Sequence, residues 1–89
     1  MNKDFESLRE RLEELTYPSV YMFKFIVKSE LQKIAQIEAL FDPEKAEIIR
    51  KESSKGAFIS ITVKEVMLGT DEIIAIYQKA SKINGVITL

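Results

Sequence analysis

Two periodicities alternate along the chain. Phe5, Leu8, Leu12 and Leu15 make one apolar stripe through a charged N-terminal segment, at the spacing of a helix. That helix is expected to stop near Thr16, because Pro18 pushes Tyr17 out of helical backbone. From Ser19 the period becomes two. Tyr21, Phe23, Phe25 and Val27 share one face of a strand; Val20, Met22, Lys24 and Ile26 share the other. The first set is larger and almost wholly apolar, so it is assigned to the core.

Ser29 with Gln32 has the spacing of a capping box, and a helix is expected from Glu30 to about Phe41. Its buried stripe reads Leu31, Ile34, Ala35, Ile37, Leu40 and Phe41, and Asp42-Pro43 marks the exit. Residues 45–53 form a moderate strand with Ile48 and Ile49 on opposite faces. Ser53-Ser54-Lys55-Gly56 is turn chemistry. An alternating strand follows over 57–66, with Ala57, Ile59, Ile61 and Val63 on one side and Phe58, Ser60, Thr62 and Lys64 on the other. The two runs flanking the turn predict a hairpin. Thr70 is placed to cap the next helix, Asp71 and Glu72 lie in its first turn, and Ile73, Ile74, Ile76, Tyr77 and Ala80 form its buried face. Asn84-Gly85 ends that helix, and Val86 to Leu89 is a short last strand.

The order is helix, then β-α-β-β-α-β. It predicts an α+β domain of ferredoxin-like βαββαβ type: a four-stranded antiparallel sheet, both later helices on one face, and an extra N-terminal helix. One domain is expected over residues 1–89, with 1–16 as the helical extension and 17–89 as the core. The sheet face away from the two main helices carries Val20, Met22, Ile26 and Phe58 among Lys24, Ser60, Thr62 and Lys64. A fully wetted face is usually less apolar. Either the N-terminal helix or a second subunit is expected to cover it.

Composition narrows the chemistry. With 89 residues there is room for one core, and 46% hydrophobic with 30% charged residues is an ordinary globular mix. A net charge of −1 weighs against nucleic acid as the main partner. The absence of cysteine excludes disulfides, thiolate catalysis and Cys-ligated metal centres. The absence of histidine removes the usual general base near neutral pH and the commonest transition-metal ligand. No catalytic residue, metal or cofactor is expected. Glu10, Glu13, Glu14 and Glu38 read as solvated helix charges, since carboxylates working as acid and base need a pocket that separates their pKa values. No stretch has the continuous apolar core of a signal peptide or the ~20 apolar residues of a membrane span, so the cytoplasm is the expected location.

Lys55-Gly56-Ala57-Phe58-Ile59 resembles the opening of an RNA-recognition motif, but the aromatics that stack on bases in that motif correspond here to Ala57 and Ile59. Only Phe58 reaches the open face. Single-stranded RNA on that face is the alternative reading.

Leu15-Thr16-Tyr17-Pro18 before the first strand, with Ser53-Ser54-Lys55-Gly56 and Phe58-Ile59-Ser60-Ile61-Thr62 at the hairpin, resembles the YbeD-like family of small bacterial proteins of unknown function. The resemblance runs from Leu12 to Leu89. It implies a fold similar to ACT regulatory domains, which bind small metabolites at subunit interfaces. Those domains usually carry a glycine in the first strand–helix turn, where this chain has Lys28-Ser29-Glu30. The expectation is a non-enzymatic, ACT-like binding or regulatory module that self-associates, possible partners being a second copy, another protein or a small metabolite. The candidate contact residues are Ser53, Ser54, Lys55 and Gly56 in the turn, and Met22, Lys24, Phe58 and Thr62 on the open face.

Overall fold

A computed structural model describes residues 3–89; Met1 and Asn2 lie outside the described residues. The elements are α1 (Lys3–Leu12), β1 (Ser19–Lys28), α2 (Leu31–Glu38), β2 (Glu47–Glu52), β3 (Phe58–Met67), α3 (Thr70–Ser81) and β4 (Ile87–Thr88). The strands form one antiparallel sheet in the order β2-β3-β1-β4. This is the ferredoxin-like arrangement expected from the element order, preceded by the extra helix.

β1 and β3 are central because they are the longest and most apolar strands. Their ladder runs from Ser19 opposite Met67 to Lys28 opposite Phe58. The alternation sorts their side chains as the period-two pattern predicts: Phe23, Phe25, Val27, Ile59, Ile61 and Val63 are buried under the helices. Phe23 sits at the middle of an aromatic group, with ring centroids 4.8 Å from Tyr21, 5.1 Å from Phe41 and 5.3 Å from Tyr77. α2 contributes Ile34 and Ile37, with Phe41 just past its end, and α3 contributes Ile73, Ile74 and Ala80. The Tyr21 and Tyr77 hydroxyls share a hydrogen bond of 3.0 Å at the rim of this core. Burial, reinforced by that bond, pushes the Tyr77 phenol well above its ordinary range.

Several expectations are corrected. α2 is shorter than Glu30 to Phe41, and Leu31 is 85% exposed. Leu31 is the first residue of the helix and stays outside the core that Ile34 and Ile37 enter. Ala35 is exposed as well, one residue off the Ile34–Ile37–Phe41 stripe. Glu30 rather than Ser29 holds the N-cap position of α2, and no side chain bonds to its first turn. Gly69 holds that position in α3. Thr70 is instead buried, and its hydroxyl donates to the Tyr17 hydroxyl at 3.1 Å. Tyr17 in turn donates to the Leu12 carbonyl at 2.9 Å, a second bond to an oxygen that also accepts from the Leu15 amide at 3.1 Å.

That relay helps fix where α1 lies. The helix ends at Leu12, before Thr16, and packs on α3 rather than on the open sheet face. Leu12 is buried in the common core; Phe5 and Leu8 are half-buried against it. Arg9 pairs with Asp71 of α3 at 2.6 Å. The N-terminal helix therefore does not cover the open face.

Candidate functional site

With α1 accounted for, the second face of the sheet stays bare. The ladder places Val20 beside Val66, Met22 beside Lys64, Lys24 beside Thr62, Ile26 beside Ser60 and Lys28 beside Phe58. β2 adds Glu47, Ile49 and Lys51 alongside Lys64, Thr62 and Ser60. β4 adds Ile87 beside Ile26, and the Leu89 amide donates to the Lys24 carbonyl at 2.9 Å. Val20 is 65% exposed, Met22 57%, Ile49 48% and Phe58 44%. A folded chain does not usually leave so many large apolar side chains adjacent on one surface without a use for them.

The electrostatics of this face run opposite to those of the whole chain. Lys24, Lys28, Lys51 and Lys64 lie on it with Glu47 as their one counter-charge, whereas the chain carries a net charge of −1. Only Lys64 reaches a carboxylate, Glu47 at 4.0 Å, a long contact between exposed groups. Among the described residues the other three have no carboxylate within salt-bridge distance. The acidic excess therefore sits on the remaining surface, including the helices.

Of the residues singled out from the sequence, Met22, Lys24 and Thr62 come together at the centre of this face. Phe58 stands at its far end, beside the hairpin turn. The turn is closed by its own atoms: the Gly56 amide donates to the Ser53 carbonyl at 2.9 Å, and the Phe58 amide donates to Ser53 Oγ at 3.2 Å. Gly56 has φ 72°, a conformation that glycine adopts without steric cost. Ser53 and Gly56 thus build the turn, while Ser54 and Lys55 point their chemistry outward from an exposed tip. A shallow depression between Ile26, Lys51, Phe58 and Ser60 joins this tip to the open face. Ile49, Lys51, Val66, Ile87 and Leu89 were not among the expected site residues. The β2–β3 register puts Ile49 and Lys51 there, the β1–β4 pairing Ile87, and Val66 continues the β3 alternation past Lys64, while Leu89 also lines the cleft beside Leu8 and Tyr77.

Among the described residues no three carboxylates gather into a possible metal site, and no helix is long and apolar enough to cross a membrane. The fold and this face define a ferredoxin-like α+β domain with one side of its sheet left bare. Residues 12–89 match the DUF493 family, described as a protein of unknown function, and the chain belongs to that family. The match opens at Leu12, the residue through which α1 enters the core. No curated protein and no solved structure matches the chain.

Proposed function

We propose that this domain is a non-enzymatic regulatory module of the cytoplasm, ACT-like in that it works by self-association and by binding a protein partner or a small metabolite. The bare sheet face carries the proposal. Its exposed apolar side chains, and three lysines that have no carboxylate partner among the described residues, suit a partner surface with apolar contacts and negative charge. The lack of histidine and cysteine supports a binding role over a catalytic one.

The same lysines favour a second reading, single-stranded RNA, in which Phe58 would stack on a base. One aromatic makes a poor stacking platform, so the protein reading ranks first. A photo-crosslinking residue placed in living cells at position 22 or 62, with position 36 on the exposed side of α2 as control, separates the two. The expected result is a protein adduct of discrete mass from positions 22 and 62 and none from position 36. A nuclease-sensitive adduct would move the assignment to RNA. Equal labelling at all three positions would contradict a role for this face.

A further inference from the structure

β2 is an outer strand, with β3 on one side and no strand on the other. The Ser53 amide donates to the Phe58 carbonyl at 2.9 Å. Backbone polar groups alternate sides along a strand, so those of Glu47, Ile49 and Lys51 also point at β3. Those of Ile48, Arg50 and Glu52 line the free edge, a row of donors and acceptors open to another strand.

We infer that this strand is the β2 of a second copy of the chain, running antiparallel about a twofold axis at Ile49 and joining two four-stranded sheets into one. The inference rests on the self-association proposed above and names its interface. Twofold symmetry requires that if one residue faces another, the reverse contact also forms. The outward-facing groups must meet each other, which restricts the twofold axis to a residue position. Centred on Arg50, the pairing sets two guanidiniums opposite each other and leaves Lys51 against Ile49. Centred on Ile48, it brings Lys45 toward Lys51 and Glu44 toward Glu52. Centred on Ile49, it avoids both conflicts. Glu47 then faces Lys51 of the second copy on either side of an isoleucine–isoleucine contact, all on the open face. On the helix side Ile48 meets Arg50, whose charge is already held by Glu38 through bonds of 2.5 and 2.7 Å. Charged residues on an edge ordinarily deter pairing; in this register they specify it.

Self-pairing also extends the candidate surface. The bare faces of both copies become one continuous sheet face, with Ile49 and its counterpart bridging them.

Because the chain has no cysteine, a single introduced thiol reports the register directly. In this pairing the two Ile49 positions oppose each other without backbone bonds between them, at a Cα separation of about 4.5 Å. A disulfide spans about 4.4–6.8 Å. Oxidised full-length Ile49→Cys is expected to run as a covalent dimer on non-reducing electrophoresis, and Lys51→Cys as a monomer. By light scattering, Lys51→Glu is expected to weaken the dimer by about tenfold, and Glu47→Lys added to it to restore the dimer. A wild-type dimer with no disulfide at position 49, or with no response to the charge exchange, would overturn this interface while leaving self-association standing. A wild-type monomer at every concentration would overturn both.

Discussion

Replacing Phe23 with alanine is expected to lower the unfolding free energy by about 3–5 kcal/mol. The side chain has no exposed surface, and its ring touches Tyr21, Phe25, Phe41 and Tyr77. Three parts of the fold therefore meet on it: the central strand β1, Phe41 just past the end of α2, and α3. Truncation removes the apolar burial and leaves a cavity that large rigid neighbours cannot collapse to fill. A domain of this size has a total stability on the order of 5–10 kcal/mol, so the variant should unfold at far lower denaturant or not fold at 37 °C. Urea titration followed by circular dichroism measures the loss. A shift below about 1 kcal/mol would mean that the aromatic cluster is not the centre of the core.

The second large effect is expected at Tyr17. Tyr17→Phe keeps the ring and deletes one oxygen, which accepts from Thr70 and donates to the Leu12 carbonyl. Thr70 is buried in the wall of the cleft it shares with Tyr17, so its hydroxyl loses its protein acceptor. The cost should be about 1–3 kcal/mol, because an unsatisfied buried polar group forfeits its desolvation energy. Thr70→Val should cost a similar amount, and the double variant less than the two together, since both act on one relay. Strict additivity would show that the two hydroxyls stabilise the fold independently. Exchange protection should fall first in α1, whose attachment to α3 depends on this relay and on the exposed Arg9–Asp71 pair.

The strands and their faces were legible in the sequence because a period of two leaves little choice. Once Phe23 and Phe25 point inward, Met22 and Lys24 must point outward, and the same holds along β3. What depended on tertiary neighbours was not legible. Ser29 and Thr70 have the chemistry of helix caps, but where the Thr70 hydroxyl goes is decided by Tyr17, fifty-three residues away in sequence. Leu31 fits the stripe of α2 yet stays exposed at the first position of the helix. The apolar stripe of α1 shows that the helix needs a surface, and the fold offers two. Asp71 and Tyr17 select the α3 side, and no local pattern contains that choice. For the candidate site, Met22, Lys24, Phe58 and Thr62 follow from alternation alone. Val66 continues the same alternation, whereas Ile49 and Lys51 join them only through strand order and register. The Ser53–Gly56 segment is plainly a turn, and its geometry shows that Ser53 and Gly56 are engaged in closing it.

The central claim is a division of labour across one sheet: the helix side holds the fold together, and the other side is left for contact. Met22 and Phe23 are adjacent in sequence and point to opposite sides, so they test it with one change of chemistry. Urea unfolding of Met22→Ala, at concentrations low enough for a single copy, is the most direct measurement. The account predicts a midpoint within about 0.5 kcal/mol of the wild type, the range usual for surface positions. A loss of about 2 kcal/mol or more would contradict it, because Met22 would then be packed by the chain itself and the face would not be open.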